Sequence, residues 1–437
     1  MLRKIFADRR NSGRLDLEAV EQLVRDSVHH MGATALSHLL REDPPQQTTI
    51  PCSCGHSAKY KELRPRPVLT VIGPVEILRP YYVCAHCNHA PNPTDAALDI
   101  VKTDDSPGVR RMMALVGSES PFRLGRQQLE WLAGLQVTVK AVERHSEQIG
   151  ADIAAREHSE IQRSVQLQLP IPLGPSISIL YVQMDATGVP VKRSETQGRA
   201  GKRDGEPAHT REVKLGCVFT QTTTDTRGRP IRDETSTTFT GAIESAPEFA
   251  RRIYHEAFRR GWSRARIKVI LGDGAIWIWN IAEEHFPGAI LIVDLYHARE
   301  HLHKLARLLF PNDEGTRKAW AKPQLDLLDD GQIESLVAAL RARQMDSPEL
   351  AATLRTEADY FERNADKMRY PKFRSQGLFV GSGVIEAACK TVIGSRLKKS
   401  GMFWTVEGAN AIIALRCCLL SGRFEDYWEA RASKQAA

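Results

Sequence analysis

Two groups of side chains in this 437-residue chain have the types and spacing to do chemistry, and they suit different ions. The first is soft: Cys52-Ser-Cys54-Gly-His56, followed further on by Cys84-Ala-His86-Cys87-Asn-His89. Paired thiols and imidazoles of this kind close a tetrahedral structural zinc site. The second knuckle has the usual Cys-x-x-Cys spacing. The first is one residue short, which leaves open whether Cys52, Cys54 and His56 compete for two coordination positions. The alternative is a set of reduced cysteines with no metal. The second group is hard: Asp185, Asp273 and Asp294 each follow a short run rich in apolar and β-branched residues, and Glu386 stands in the first turn of a helical pattern. Carboxylates suit hard, oxygen-seeking divalent cations such as Mg²⁺. Taken alone, Gly272-Asp273-Gly274 also reads as an ordinary turn.

The elements that must position these acids follow from the periodicity around them. Ile267 to Leu271 is a strand pattern of the kind buried on both faces, and it delivers Asp273 at its carboxyl end. Ala275 to His285 has apolar residues at helical spacing and stops at Pro287-Gly288. Ala289 to Val293 repeats the strand pattern and ends at Asp294, three residues before His297. Upstream, Ile177 to Met184 runs into Asp185, Lys214 to Thr220 is another strand, and Ala246 to Gly261 is an amphipathic helix. Downstream, a helix-rich polar stretch (300 to 372) leads to Gly381-Ser-Gly383, after which Val384 to Lys398 is helical. Strand, acid, helix, strand, acid places polar chemistry at the carboxyl ends of strands in an α/β sheet. The order is that of an RNase H-like core, and the carboxylates converge if the Glu386 helix packs on the sheet.

The amino-terminal part reads as small modules. Leu15, Leu17, Val20, Leu23, Val24, Val28 and Met31 form a helical stripe, expected to be a packing face within the chain or between subunits. The two knuckles flank a hairpin (Val68 to Ile72, Val75 to Val83) around Gly73-Pro74, which is the outline of a zinc ribbon. Pro121 to Ala133 and the helix opened by Thr138 are joined by a short Gly134 turn. That is a helix-turn-helix outline with Lys140, Arg144 and His145 at the start of the second helix, although any pair of bundle helices can look the same. Pro170, Pro172 and Pro175 mark a domain boundary. Lys192, Arg193, Arg199, Lys202 and Arg203 make a basic, Gly-containing loop: a solvated hairpin tip, or a set of phosphate contacts if the partner is a nucleic acid.

Composition narrows the class. Apolar content of 42% with 26% charged residues is that of a soluble globular protein, and the length suits two to three domains. Net charge is +7, from 60 basic and 53 acidic residues, which favours a polyanionic partner. No amino-terminal stretch resembles a signal peptide. The best apolar run, Ala411 to Leu420, is interrupted by Arg416, so no membrane span is expected. Eight cysteines in so long a chain do not make a disulfide scaffold. Cys217, Cys389, Cys417 and Cys418 sit among apolar neighbours and read as inert thiols.

A set of motifs then resembles one family: QMDATGVPV (Gln183 to Val191), REVKLG (Arg211 to Gly216), GDGAIWIWN (Gly272 to Asn280), FPGAILIVDLYHA (Phe286 to Ala298), GSGVIEAACK (Gly381 to Lys390), RLKKSGMFW (Arg396 to Trp404) and GANAIIALR (Gly408 to Arg416). Together with the zinc knuckles they look like bacterial insertion-sequence DDE transposases of the Kra type, distantly similar to the Mutator and hAT groups, over about residues 50 to 430. Each piece is weak, and the set is specific. The resemblance implies Asp185, Asp273 and Glu386 as the catalytic triad, holding two Mg²⁺ or Mn²⁺ ions, and Asp294-x-x-His297 as an auxiliary motif. A helix cap plus a packed imidazole is the structural alternative for that pair. In an RNase H-like sheet of order 3-2-1-4-5, Asp273 lies one strand from Asp185, whereas Asp294 lies one strand farther, about 10 Å away at ~4.8 Å per strand.

The expected architecture is α/β: an RNase H-like mixed sheet with flanking helices, amino-terminal zinc-ribbon and helical DNA-binding modules, and a helical insertion. The boundaries expected are 1–45 (amino-terminal helix), 46–105 (zinc-ribbon-like module), 106–170 (helical, DNA-binding), 171–300 (first part of the core), 301–375 (insertion) and 376–437 (helices completing the core). The expected function is binding of an element's terminal inverted repeats, metal-dependent phosphodiester cleavage and 3′-hydroxyl strand transfer. Lys390, Arg396, Lys398 and Lys399 join Lys140, Arg144, Lys192, Arg193, Lys202 and Arg203 as expected phosphate contacts; solvated helix ends are the alternative. Double-stranded DNA, a second copy of the chain and the bacterial cytoplasm at the nucleoid are the expected partner, assembly and location. Two rival readings are a catalytically silent DNA-binding regulator and an RNase H-like nuclease or resolvase without strand transfer.

Overall fold

The computed structural model describes residues 17–166, 168, 173–201 and 206–436. The chain is mixed α/β and divides into two compact units. One holds the residues up to Ser146 together with Glu425–Ala437; the other is Glu147–Phe424.

In the first unit, α1 (Leu17–Leu39) precedes a three-stranded antiparallel sheet of order β1 (Thr49–Pro51), β2 (Ser57–Thr70), β3 (Gly73–Cys84). The hairpin is much longer than the apolar runs that announce it. Half of β2 is exposed, and the strand carries Lys59, Lys61, Arg64 and two prolines, so hydropathy marks only its end. Val68, Val75 and Ile77 form its buried face with Ala33 and Ile100, joined by the half-buried Leu36 and Leu40. The expected α1 stripe is used only in part: Val24, Val28 and Met31 stay exposed. After a short helical turn at Pro93–Ala97 come three longer helices, α2 (Pro107–Glu119), α3 (Phe122–Ala133) and α4 (Val139–Val165), and the division between the units falls inside α4. Val109, Met113, Leu129, Leu135 and Val142 make their core. Gly134 ends α3 in the left-handed conformation (φ 66°), and the Thr138 hydroxyl accepts the Ala141 N–H at 3.0 Å to open α4.

The second unit is built on a five-stranded mixed sheet. Its strands are β4 (Ile177–Pro190), β5 (Thr210–Gln221), β6 (Thr238–Ala242), β7 (Ala265–Gly272) and β8 (Ile290–Val293), in the spatial order β8-β7-β4-β5-β6. In chain order this is 3-2-1-4-5. β4, β5 and β6 pair antiparallel, whereas β7 and β8 run parallel to β4. Leu180 to Met184 is fully buried without a break, which explains why β4 reads as a continuous apolar run. Helix α5 (Ala246–Arg259) crosses to β7 and starts with a capping box between Ser245 and Glu248. Then come α6 (Ile276–His285) and, after β8, α7 (Leu295–Leu309), α8 (Glu314–Asp329), α9 (Ile333–Ala342) and α10 (Pro348–Arg363). The expected helix over 384–398 is divided. α11 (Gly383–Ala388) passes into a π-helical turn (Cys389–Gly394) before a last short helical piece, and α12 (Val406–Leu420) follows. No helix among the described residues is long and apolar enough to cross a membrane.

Candidate active site and zinc site

Strand register brings the first two acids together. Parallel pairing of β4 with β7 ends at Gln183 opposite Leu271. Asp185 and Asp273 each lie two residues beyond, side by side on neighbouring strands. β4 does not end at Asp185, as the apolar run suggests: it continues to Pro190 along β5 and only loses its parallel neighbour there. That one-sided gap is where a cleft of about 320 Å³ opens, lined by Met184, Asp185, Asp273, Tyr296, His297, Glu300, Ser382, Ile385 and Glu386.

Buried polar contacts carry the Glu386 helix to the same cleft. The side-chain oxygen of Gln183, fully buried in β4, accepts the Ile385 N–H at 3.1 Å. Asp294, also fully buried, caps α7 by accepting the His297 N–H at 2.7 Å, and its other oxygen accepts the Ser382 N–H. Asp294 is therefore a strut between β8, α7 and the Glu386 loop, and does not line the cleft; His297 does. Glu386 Oε1 accepts the Ser382 hydroxyl at 3.1 Å. The π turn follows at once. Its wider pitch frees backbone carbonyls, and buried Arg416 on α12 meets one of them by donating to Val392 O at 2.7 Å. In the same turn the Cys389 thiol donates to Asp185 Oδ2 at 3.3 Å.

Gly272-Asp273-Gly274 is more than a turn. The Asp273 carboxylate accepts the Ala275 N–H at 2.9 Å, and Tyr360 on α10 donates its hydroxyl to the Asp273 carbonyl at 3.0 Å. Gly274 has φ +95°, and a Cβ there would lie 2.7 Å from the Tyr360 ring. Gly274→Ala should therefore cost about 1–3 kcal/mol in urea unfolding and displace the Asp273 loop. An unchanged unfolding midpoint would show that the ring yields instead.

No lysine or arginine among the described residues makes an ion pair with Asp185, Asp273 or Glu386. Burial, together with the charges of Asp273 and Glu386, pushes the Asp185 carboxyl above the usual carboxylate range, against the Ala186 N–H and the Cys389 thiol. Uncompensated negative charge of this kind is what a divalent cation neutralises. Among the described residues, the two compact groups of three or more metal-type ligands, with all donor atoms within 4.8 Å, both lie in the cysteine module. The three acids are spread more widely around their cleft.

In that module Cys52, Cys54, Cys84 and Cys87 form one such group and could hold a zinc ion. Cys52–Cys87 and Cys54–Cys84 sulfur separations are 3.5 and 3.6 Å. A zinc tetrahedron with ~2.3 Å bonds has edges of about 3.8 Å, so the spacing fits. His56 belongs instead to a second group with Cys54 and His86, against whose ring it stacks at 3.8 Å. The short first knuckle thus supplies both its thiols to the four-sulfur group. The backbone at Cys54 and the His89 ring pull the Cys52 thiol down to about 6. Cys87, despite the His89 N–H, is pushed up to about 12 by the neighbouring thiols. Four sulfurs this close do not all ionise unless a cation joins them.

The expected phosphate contacts divide. Lys140 is exposed, but Arg144 reaches toward Asp105 at 3.8 Å, and His145 is buried with Nε2 2.7 Å from the same carboxylate. Lys192, Arg193, Lys390, Lys398 and Lys399 are exposed, with Lys398 donating to the Thr187 hydroxyl. Lys202 and Arg203 lie outside the described residues. Arg396 is a correction: it is fully buried, with its guanidinium 5.0 Å from the Trp404 ring centroid, and cannot touch a phosphate. Sequence reasoning also missed Tyr296, Glu300 and Ser382 at the cleft, and Gln183, His301 and Glu357 behind it. Only the Gln183 position inside a buried strand pattern offered a signal.

No protein-family model matches the chain, and no curated protein matches it in sequence. Among solved structures, the Drosophila P element transposase strand transfer complex aligns over 78% of this chain and 85% of that one, at 12% identity and a TM-score of 0.25. Superposition that loose does not establish a shared fold, and the functional reading rests on the site.

Proposed function

We propose that this protein is a DDE transposase of the insertion-sequence type, with an RNase H-like core in Glu147–Phe424 and a structural zinc-ribbon-like module at 46–105. The observation that carries the reading is the cleft itself: Asp185, Asp273 and Glu386, distant in sequence and with no lysine or arginine among the described residues paired to them, line one cavity at the carboxyl side of the parallel strands. The proposed cofactor is a pair of divalent ions, because phosphodiester cleavage builds charge on two oxygens at once. Mg²⁺ or Mn²⁺ bound there supplies charge stabilisation at the attacking and leaving oxygens of a phosphodiester. The chain's own residues do the rest. The three carboxylates hold the ions, Gln183 and Asp294 keep the Glu386 helix seated, and exposed Lys192, Arg193, Lys390, Lys398 and Lys399 neutralise DNA phosphates. Lys140 and the helices of 106–170 would add contacts to the terminal repeats. Water attack at the element's ends frees 3′-hydroxyls, which then attack target DNA. Because two ends must meet, the DNA complex holds at least two copies, and the bacterial cytoplasm is its setting.

The test is product analysis. With Mg²⁺ and a plasmid carrying the DNA that flanks this coding sequence, the full chain should nick at the element ends and yield covalently joined molecules. Nicking without joining would favour a nuclease or resolvase, and binding with neither a silent regulator.

A further inference from the structure

We propose that Glu357 and His301 form a half-buried proton relay that ends on His297 at the acidic cleft, making His297 the group that takes the proton from the attacking hydroxyl. The inference rests on the transposase reading and adds to it a residue chain from the helical insertion.

Three contacts carry it. His301 Nδ1 lies 2.7 Å from Glu357 Oε2, His301 Nε2 lies 3.2 Å from His297 Nε2, and His297 lines the cleft with Asp185, Asp273 and Glu386. The Tyr360 ring stacks on His301 at 4.2 Å, nearly parallel, while its hydroxyl holds the Asp273 carbonyl. α10 of the insertion therefore supports the relay and the second acid from one turn of helix, through Glu357 and Tyr360.

The hydrogen bonds fix the tautomers. An ionised Glu357 only accepts, so His301 Nδ1 carries the proton and donates it. The Nε2 of neutral His301 is then an acceptor, and His297 Nε2–H donates to it. His297 is left with its Nδ1 lone pair unprotonated and basic. When a water or a 3′-hydroxyl attacks phosphorus, its oxygen gives an electron pair to the new P–O bond, and its proton passes to His297 Nδ1. The Nε2 proton of His297 can then move to His301 Nε2. The positive charge comes to rest on His301 beside the Glu357 carboxylate, while His297 is neutral with its proton on Nδ1. The leaving oxygen takes the electron pair of the P–O bond that breaks and is protonated by solvent; when the shift reverses, His297 gives its Nδ1 proton to water and the start is restored. No oxidant or further reactant is needed. Glu357 and His301 are positioning residues, and only His297 meets the reacting atoms.

Two measurements on the full chain test this. The first needs no DNA: ¹⁵N-histidine NMR at pH 8, with His297 assigned by its loss in His297→Ala. Wild type should show His297 protonated at Nε2 and not at Nδ1, and His301→Ala should give the mixture of a free imidazole. A His297 protonated at Nδ1, or unchanged by His301→Ala, overturns the relay. The second is single-turnover nicking of the flanking-DNA plasmid with Mg²⁺. Glu357→Gln and His301→Ala should slow cleavage about 10- to 100-fold, with DNA affinity unchanged, and added imidazole should restore part of the His301→Ala rate. His297→Ala combined with Glu357→Gln should be no slower than His297→Ala alone. Additive losses, or full activity in Glu357→Gln, reject the relay. A wild-type chain that never cleaves would instead defeat the transposase reading, and the NMR result would still decide the relay.

Discussion

Asp185→Asn is expected to abolish DNA cleavage and, in the same protein, to raise the melting temperature of the metal-free form. The two effects share a cause. Burial beside Asp273 and Glu386 raises the Asp185 carboxyl in the folded chain, so the folded state holds that proton more tightly than the unfolded state does. The cost of ionising it in place sets in as pH rises through the unfolded value and is complete above the folded one. Above the ordinary carboxylate range the folded protein is therefore less stable than it would be with a neutral side chain at this position. Asparagine is neutral throughout and keeps an oxygen able to accept the Ala186 N–H, which lies 2.6 Å from Asp185 Oδ1 in wild type. A bound divalent cation removes the same penalty. Mg²⁺ or Mn²⁺ should thus raise the wild-type melting temperature by mass action and shift the variant less. Losing one ligand should forfeit several kcal/mol of transition-state stabilisation, about a thousand-fold or more in rate. Thermal melts with and without Mn²⁺ beside a nicking assay decide it. A variant that cleaves at the normal rate sinks the assignment of Asp185. One that melts lower shows instead that the carboxylate is structural.

Cys84→Ser, or removal of metal by a chelator, should unfold the cysteine end of the β2–β3 hairpin while the five-stranded sheet stays intact. The local core there is Cys52, Ala58, Tyr82 and Cys84 with the partly buried Ile50, Cys54 and Tyr60 against them, and three of the seven belong to the sulfur group itself. So small a cluster cannot hold a hairpin end in place. Zinc binding in small modules contributes ~10–16 kcal/mol, comparable with the whole stability of a typical domain. Hydrogen exchange should accelerate across 49–60 and 80–90, with backbone protection in β4 and β7 unchanged, and elemental analysis should show about one zinc lost per chain. His56→Ala is the companion measurement. Because His56 is not one of the four-sulfur set and shares only Cys54 with it, zinc should stay bound. If His56→Ala releases the metal as Cys84→Ser does, the imidazole is a ligand and one thiol is not.

Much of the architecture was legible along the chain because local periodicity governs it. Strands buried on both faces must be continuously apolar, which exposes β4, β7 and β8 and the acids just beyond them. Soft ligands in pairs around a hairpin give away the cysteine module. What linear pattern does not carry is which polar groups meet. Asp273 and Asp294 have the same local signature, a strand end followed by a helix. Only the packing of the Glu386 loop against β8 buries Asp294 as a strut and leaves Asp273 at the cleft. Arg396 looks like its exposed basic neighbours Lys398 and Lys399, yet it is buried against Trp404, because the turn to α12 folds back over it. Glu357 sits in a helix whose amphipathic pattern says nothing of His301. Their contact depends on how α10 lies against α7. Periodicity sets which face of an element is buried, whereas hydrogen-bond partners across the cleft come from register and helix packing between residues far apart in the chain, and those exist only once the fold is closed.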